Sequence, residues 1–549
     1  MKKTILILFT FLLSSNIFAQ NNLSETEKFA FTGKVWGFLK YYHPEVADGK
    51  YNWDEELFKI LPKVKAVANN KELSQVYLDW IKSLGEIKPC KKCDVKNNVE
   101  YFDKNFNLSW INNRQIFTTE LSEKLKYIER NRHQGKKHYV KYYKGEPKSI
   151  YIDNELDYKG FDWQEENLRL LSLFRYWNIV EYFFPAKYQT DTGWDIILNK
   201  MIPKFLNTKS ELDLHLAMLE LIVSCDDSHA TFFNKETYSF FGRYYLPVDF
   251  KVIDSKAIIT GFYNDSLARL NDFQIGDIIT KANEKEIATI LEEQEKYINA
   301  SNVSRRKFNA RYYTLNGTTD SLKIEITRNG NTSIKSVKRY PFNQFHYKEE
   351  VEPKSFEIIE NNIGYINIGL VKEVEEIPEI METLKNTKAI IFDIRNHKPF
   401  TPFYFANYIT SKEREFYKAT YADLDYPGKF IWTEPYKSGN DELKYFKKVI
   451  LLVNENSQSQ LEYTAKCLQT GDNVTTIGSQ TSGADGNVVV FNMVGGFKTQ
   501  ISGVGIFYPD GTETQRKGVK IDIHVEPTID GILAGKDEIL ERAIKFINE

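Results

Sequence analysis

The stretch VNENSQSQLEYTAKCLQ, residues 453–469, decides how this chain is interpreted. It begins at the last residue of an apolar run, VILLV (449–453), and continues through small polar residues. It then enters a segment whose apolar residues recur at helical spacing. The pattern predicts a strand, a tight turn and a helix that begins near Ser459. Such a helix start presents free N–H groups and the positive end of the helix dipole, which together favour an oxyanion.

Two roles are open to Ser459 at this helix start. As an N-cap, its hydroxyl accepts a hydrogen bond from the first turn, and Glu462, three residues later, completes a capping box. As a nucleophile, it attacks a carbonyl carbon, and the N–H of Gln460 donates to the oxyanion that forms. The local sequence alone favours the N-cap.

The region 350–549 alternates between apolar strands and helical segments. Strands are predicted in IGYINIGL (363–370), KAIIFDIRN (388–396) and KKVILLVNEN (447–456), and a helix in IPEIMETLKN (377–386). Apolar runs separated by helices are typical of βαβ units whose sheet is buried on both faces. We therefore expect an α/β core with a mostly parallel sheet.

The N-terminal part contains an internal repeat at an offset of 141 residues. VWGFLKYYHP (35–44) is similar to RYWNIVEYFFP (175–185), and Trp53 matches Trp194. Both copies show helical spacing, which predicts two related helical units. The predicted segments are a first helical unit (20–95), a connector (96–160) and a second helical unit (161–240).

Residues 241–345 change to strand-like alternation and predict a separate β module. FQIGDIITKANEKEI (273–287) resembles part of a PDZ domain, and Asn329–Gly330 is a hairpin turn signal. PDZ domains bind an extended peptide as an added edge strand. The sequence thus predicts a PDZ-like module between the helical units and the α/β core.

Several motifs of the second half occur in the order that one peptidase family uses. The Ser459 turn and helix are followed by GSQTSG (478–483) and by GVKIDIHVEPTIDGILAGKDEILERA (518–543), and they are preceded by the strand IIFDIRN (390–396). Together these motifs resemble the carboxy-terminal processing, or tail-specific, protease family, which includes tricorn-type peptidases. The resemblance covers about residues 160–549. It implies a crotonase-like (ClpP-like) α/β peptidase core at 350–549 with Ser459 as the nucleophile.

The resemblance also identifies a general base. Processing proteases place a lysine directly after the glycine that ends the second motif, where this chain has Ala484. The tricorn-type branch uses a Ser-His pair instead, which DDSHA (226–230) resembles. A serine hydroxyl needs a base near neutral pH, and an unperturbed histidine has a pKa of about 6.5. His229 is therefore the predicted base.

The remaining site residues follow from the same resemblance. Ser228 and Gln515 are predicted to orient the imidazole, and Glu513, two residues away, is the alternative to Gln515. The backbone N–H groups of Gln460 and His397 are the predicted oxyanion donors. The segment around His397 lacks the glycines that the family has there.

The overall composition gives no sign of a charged partner. The chain has 73 basic and 75 acidic residues, a net charge of -2, which gives no reason to expect nucleic acid or a membrane surface as a partner. No spacing of His, Cys or carboxylate residues matches a metal site, and no cofactor is predicted. No segment of the mature protein is long and apolar enough to span a membrane.

The first residues, MKKTILILFTFLLSSNIFA, predict a secretory signal peptide that is cleaved after Ala19. The protein is therefore expected to be exported, either to a periplasm or into the medium. In an exported chain, Cys90 and Cys93 of CKKC predict a disulfide. Cys225 and Cys467 are isolated in apolar surroundings and are predicted to be buried thiols.

The sequence thus predicts an exported serine peptidase that acts on peptides or unfolded proteins. The alternative is a peptide- or ligand-binding protein on the same scaffold, because Ala484, Gln515 and the missing glycines depart from the family pattern. The presence of Ser228, His229 and Ser459 in one chain favours the peptidase.

Overall fold

The structure of the chain is a computed structural model. It describes residues 23–93, 99–145, 147–345, 354–396, 402–442 and 444–549. The predicted signal peptide (1–19) and His397 lie outside the described residues.

The first part of the chain is predominantly helical. Its helices are α1 (Glu25–Tyr42), α2 (Pro44–Ala47), α3 (Trp53–Ala66), α4 (Asn70–Ser83), α5 (Thr119–Arg130), α6 (Glu166–Phe183), α7 (Trp194–Leu206), α8 (Glu211–Val223) and α9 (Lys235–Phe241). Its short strands are β1 (Tyr101–Phe102), β2 (Val140–Tyr142), β3 (Ile150–Ile152) and β4 (Thr231–Phe233). The predicted connector therefore contains a helix and three strands of its own.

Tryptophan side chains fix the helix pairs of both predicted units in the same way. Trp36 Nε1 donates to the Trp53 carbonyl (3.1 Å), and Trp53 Nε1 donates to the Trp36 carbonyl (3.0 Å). Trp177 and Trp194 repeat this exchange at 2.9 and 3.0 Å. Since a buried indole N–H needs an acceptor, each exchange satisfies two donors while both rings pack in the core.

Two ion pairs join the helical units to each other. Lys34 pairs with Asp195 at 2.8 Å, and Arg175 pairs with Asp54 at 2.7 Å. The sequence offset of 141 residues relates Lys34 to Arg175 and Asp54 to Asp195, so each unit contributes a cation to a carboxylate of the other. The Arg175–Asp54 pair is almost fully buried, which makes loss of either partner costly.

The middle part of the chain is an antiparallel sheet with three short helices. Its elements are β5 (Tyr244–Tyr245), β6 (Val248–Ile253), β7 (Lys256–Phe262), α10 (Asp265–Leu270), β8 (Ile278–Ala282), β9 (Lys285–Glu286), α11 (Ile287–Gln294), α12 (Val303–Ala310), β10 (Ser321–Arg328), β11 (Asn331–Lys338) and β12 (Tyr340–Pro341). The strand order is β11–β10–β8–β7–β6, with β9 paired to β8. The predicted hairpin is confirmed, because β10 and β11 pair with Arg328 opposite Asn331 and both turn residues have positive φ.

The last part of the chain is the α/β core. Its elements are β13 (Phe356–Ile359), β14 (Ile363–Asn367), α13 (Ile377–Leu384), β15 (Ala389–Asp393), α14 (Ala406–Ile409), β16 (Arg414–Ala422), β17 (Phe430–Trp432), β18 (Tyr436–Ser438), β19 (Lys448–Val453), α15 (Gln460–Leu468), β20 (Val474–Gly478), β21 (Val488–Asn492), β22 (Lys498–Ser502), β23 (Gly505–Phe507), β24 (Ile523–His524), α16 (Ile529–Leu533) and α17 (Glu538–Asn548). The main sheet has the order β13–β14–β15–β19–β20–β24, and every pair except β13–β14 is parallel. The predicted mostly parallel sheet is therefore confirmed.

Strand pairing ties the helical part to the core. Strand β4 pairs with β22, so that Phe232 lies opposite Thr499, and β1 pairs with β17. The short segment 226–230 directly precedes β4, and this pairing holds it against the core. The fold thereby brings the predicted base next to the domain that carries the predicted nucleophile.

The cysteine predictions are confirmed. Cys90 and Cys93 form a disulfide, whereas Cys225 and Cys467 are buried free thiols. In the part of the chain that the structure describes, no helix is long and apolar enough to cross a membrane.

Candidate active site

Ser459 occupies an unusual backbone conformation between β19 and α15. Its φ and ψ are 56° and -117°, whereas an N-cap residue normally lies in the extended region. Its N–H donates to the Ala484 carbonyl (3.0 Å) and lies 3.2 Å from a carboxylate oxygen of Glu462. Backbone strain at a residue with a side chain persists only where the surroundings enforce it, and it is concentrated at functional sites. The sharp strand-to-helix turn is that of a nucleophile elbow.

The turn before Ser459 is tied to the end of the neighbouring strand β15. Ser457 Oγ donates to the Ile394 carbonyl (2.8 Å), and Asn456 Nδ2 donates to the Arg395 carbonyl (2.8 Å). The chain that leaves β15 leads to His397, the predicted oxyanion donor that lies outside the described residues. Gln460, the other predicted donor, is the first residue of α15.

Glu462 of α15 holds the segment that lies across the helix start. Its buried carboxylate accepts hydrogen bonds from Thr481 Oγ1 (2.6 Å), the Gly483 N–H (2.7 Å) and the Ala484 N–H (3.0 Å). Burial raises the pKa of Glu462, while these donors favour its charged form. Gly483 has a φ of 68°, and a Cβ there would approach the Arg516 backbone to 2.8 Å. The glycine of this motif is therefore required both by conformation and by space.

The position that carries lysine in processing proteases offers no base here. Ala484 is fully buried. The nearest lysine on the nucleophile helix, Lys466, pairs with Asp485 and is also fully buried. Burial lowers the pKa of Lys466 to about 7, and the nearby carboxylate of Glu462 favours the ammonium form. The Lys466–Asp485 pair anchors the segment that follows Ala484 to α15.

His229 is buried, with 6% of its surface exposed, in the turn between α8 and β4. Its Nδ1 lies 2.9 Å from Ser502 Oγ. That hydroxyl donates to Asp227 Oδ1 at 3.0 Å, and the Ser502 N–H donates to Asp227 Oδ2 at 2.7 Å. The backbone N–H of His229 also donates to Asp227 (3.1 Å), so both His229 and Ser502 hold the carboxylate in place.

These contacts determine the tautomer of the neutral imidazole. A carboxylate only accepts hydrogen bonds, so Ser502 donates its single hydroxyl proton to Asp227. Ser502 Oγ must then accept from Nδ1–H of His229, which leaves the lone pair on Nε2. This is the tautomer in which Nε2 accepts a proton as a general base. The direct distance from Nδ1 to Asp227 Oδ1 is 4.0 Å, so the charge acts on the ring through the hydroxyl.

Ser228 and Gln515 occupy different positions from those expected of ring-orienting groups. Ser228 Oγ accepts the Ser301 N–H (2.8 Å), and the Ser228 N–H donates to Ser301 Oγ (2.8 Å). The hydroxyl that contacts the ring belongs to Ser502 instead. Gln515 Nε2 donates to Asp227 Oδ1 (3.3 Å), so it supports the carboxylate rather than the imidazole.

Glu513 lies away from this network. Its carboxylate accepts a hydrogen bond from the Tyr188 hydroxyl (2.9 Å) and pairs with Lys104 (2.9 Å) and Lys517 (3.0 Å). The contacts therefore give Glu513 a role in joining the connector to the core.

Asp227 and Ser502 were not identified from the sequence. Asp227 is fully buried and lies two residues before His229, so the acidic pair in DDSHA was the available signal. Ser502 gave no signal, because it lies on β22 and meets His229 only through the pairing of β22 with β4.

One short segment contacts both Ser459, the predicted nucleophile, and Ser228, which directly precedes the predicted base. Ser228 Oγ lies 3.4 Å from the Ser482 carbonyl, and the Ser459 N–H is bonded to the Ala484 carbonyl. Residues 482–484 thus connect two sites that are 230 positions apart in the sequence. Among the described residues, no group of His, Cys, Asp or Glu side chains is arranged to hold a metal ion.

A strained serine at a strand-to-helix turn of an α/β core is the arrangement in which many serine hydrolases hold their nucleophile. Residues 401–525 match the model of peptidase family S41, which indicates that the chain is a serine peptidase. No curated protein sequence matches the chain.

Solved structures show the same fold at low sequence identity. Mature CPAF superposes with a TM-score of 0.55 at 14% identity, over 70% of this chain and 98% of that chain. Mature CPAF complexed with lactacystin gives a TM-score of 0.54 at 14% identity, over 70% and 99%. The photosystem II D1 C-terminal processing protease gives 0.39 at 13% identity, over 68% and 98%, an overlap too low to carry an argument. At such identities these likenesses concern the fold alone.

Proposed function

We propose that this protein hydrolyses peptide bonds with Ser459 as nucleophile and His229 as general base, as in the tricorn-type branch of the family. The observation that carries the proposal is that the segment 482–484 contacts both Ser459 and Ser228, the chain neighbour of His229, while His229 has a hydrogen-bond network that leaves Nε2 as its basic nitrogen. Ser459 and Glu462 form the capping box as well, but the positive φ of Ser459 departs from the extended conformation of an ordinary cap.

The proposed reaction has two steps. Ser459 Oγ attacks the peptide carbonyl carbon while its proton passes to His229 Nε2, and the proton then goes to the leaving amine as the acyl-enzyme forms. Water repeats the sequence and releases the acid. Asp227 stabilises the imidazolium through Ser502 Oγ. The backbone N–H groups of Gln460 and His397 are the proposed oxyanion donors.

The alternative, a binding protein without activity, is less well supported by the site. It is favoured by Ala484, by the missing glycines and by Gln515, which replaces an acidic residue and so leaves no charged group behind the imidazole at that position. Asp227 supplies a negative charge behind the imidazole, to which it is linked through the Ser502 hydroxyl. A scaffold that only bound peptides would need neither this network nor strain at Ser459.

An active-site-directed fluorophosphonate separates the two functions. The expected result is one covalent adduct, located on Ser459 by peptide mass spectrometry, together with loss of peptidase activity. A folded protein that neither reacts with the probe nor cleaves any peptide of an unbiased mixture would leave only the binding function.

We also propose that the middle β module is PDZ-like and presents extended peptide to the core. A cleft of about 510 Å³ lies between edge strand β6 and helix α12, and it reaches the loop Asn454–Asn456 before the nucleophile. Lys251 of β6 pairs with Glu455 at 3.0 Å, and Arg305 of α12 donates to the Glu455 carbonyl at 3.1 Å. A peptide added along β6 would therefore run toward Ser459.

The module is tested with Phe308, which lines this cleft between Arg305 and Arg311. Phe308→Ala is expected to raise KM about three- to tenfold for peptides of roughly twelve residues, because lost aromatic contact weakens binding by about 1 kcal/mol. Four-residue peptides should be cleaved as before. Ile334→Ala, on the far edge strand β11, is the matched control. Equal losses for long and short peptides would contradict the presentation role.

Two further predictions remain proposals. The protein is proposed to be exported, with a mature N-terminus at Gln20, and an intact Met1 in the exported protein would contradict this. The helical part is proposed to be a duplication, which the matching tryptophan exchanges and ion pairs support.

A further inference from the structure

A second cleft, of about 570 Å³, begins directly next to the predicted base. Residues 230–234, which follow His229, form one wall. Asn299 lies on another wall and donates from Nδ2 to the Ser228 carbonyl at 3.0 Å. The cleft therefore flanks the Ser228–His229 turn and is separate from the cleft between β6 and α12. We call it the aromatic cleft.

Aromatic side chains dominate its lining. Phe233, Tyr238 and Tyr312 stand at its rim with 61%, 52% and 49% of their surfaces exposed. Behind them, Phe241 and Tyr313 pack edge-to-face with ring centroids 4.8 Å apart. Three half-exposed aromatic rings around one concave site are a costly arrangement for a surface without a ligand.

The aromatic cleft also contains a buried polar group without a partner. Asn234 is 7% exposed, and its Oδ1 caps α9 by accepting the N–H groups of Glu236 (2.9 Å) and Thr237 (3.0 Å). Its Nδ2 has no hydrogen-bond partner within the described part of the chain. Buried donors are normally satisfied, so this Nδ2, which is covered by neighbouring atoms at the cleft wall, would gain a partner only if a bound ligand displaced the atoms that cover it.

We infer that the aromatic cleft is a specificity site that binds a large aromatic or aliphatic side chain of the substrate on the leaving-group side of the scissile bond. This inference rests on the proposed function. His229 returns its proton to the leaving amine, so the wall that follows His229 faces the part of the peptide carboxy-terminal to the cut. Ring faces and edges at the rim favour aromatic partners.

The inference is tested by mapping cleavage sites in a mixture of proteome-derived peptides. For the wild-type protein, we expect Phe, Tyr, Trp or Leu to be enriched roughly three- to tenfold at one of the first three positions after the cut. The double variant Phe233→Ala/Tyr312→Ala should lose this enrichment, because both side chains stand at the rim. Phe446→Ala, an equally exposed aromatic that does not line the aromatic cleft, is the control.

The outcomes distinguish this inference from the proposed function. If the wild-type protein neither cleaves peptides nor reacts with the fluorophosphonate, the proposed function itself is ruled out. Cleavage without side-chain preference after the cut, or a preference located before the cut, would overturn the assignment of the aromatic cleft alone. A double variant that cleaves normally but changes from dimer to monomer by light scattering would show that a second copy of the chain covers the rim, which also overturns it.

Discussion

Replacing Ser459 by alanine is expected to lower kcat/KM for peptide hydrolysis by about 10⁴- to 10⁶-fold, the range seen when a serine nucleophile is removed from other hydrolases. The fold should survive, because Ser459 is half-buried and α15 remains anchored through Glu462 and the Lys466–Asp485 pair. Steady-state kinetics, together with loss of fluorophosphonate labelling, measure the effect. A variant that retains more than a hundredth of the wild-type rate would exclude Ser459 as nucleophile.

Stability gives a second measurement at the same residue. Ser459→Gly is expected to abolish activity and yet raise the free energy of unfolding by about 0.5–1 kcal/mol, because glycine adopts positive φ without strain. The matched control is Ser210, an ordinary cap in extended conformation whose hydroxyl accepts the Asp213 N–H at 3.1 Å. Ser210→Gly should lower stability by a few tenths of a kcal/mol. If Ser459→Gly behaves like Ser210→Gly in urea unfolding, Ser459 carries no functional strain and is a helix cap.

The second large effect is expected at His229. His229→Ala should reduce kcat/KM by about 10⁴- to 10⁶-fold, since a serine hydroxyl is a weak nucleophile without a base to take its proton. Asp227→Asn should cost about 10²- to 10⁴-fold, because the amide presents N–H groups to donors and no longer stabilises the imidazolium. Both losses should fall mainly on kcat, measured with one peptide that the wild type cleaves. A His229→Ala variant with near-normal kcat would show that the base is a different group.

Substitutions of the two serines near His229 distinguish a role in orienting the imidazole from a role in packing. Ser502→Ala removes the hydroxyl that links Nδ1 to Asp227 and is expected to lower kcat about 10- to 100-fold and to change its pH profile. Ser228→Ala removes a hydroxyl that contacts Ser301 and is expected to affect stability more than the pH profile. The reverse order of effects would restore Ser228 as the residue that orients the ring. A crystal structure should place His229 Nε2 within about 2.6–3.2 Å of Ser459 Oγ.

Local patterns in the sequence were sufficient for the secondary structure around the nucleophile. The run VILLV, the small polar residues and the helical spacing after Ser459 predicted β19, the turn and α15, because strand and helix periodicity are carried by neighbouring residues. The Asn329–Gly330 hairpin and the buried parallel strands follow from equally local signals. The CKKC disulfide was also predictable, because only three positions separate its cysteines.

The conformation of Ser459 and the partners of His229 were decided by the tertiary structure alone. A capping pattern and a nucleophile turn share the same local sequence, and only the backbone angles separate them. Likewise, Ser228 is the chain neighbour of His229, but the hydroxyl that contacts the ring comes from Ser502, 273 residues away. Strand β22 carries Ser502 to this place because β22 pairs with β4, directly after the DDSHA turn. Ser459 and His229 could therefore be proposed from the sequence, whereas the partners that surround them were set by strand pairing between distant segments, which no local pattern encodes.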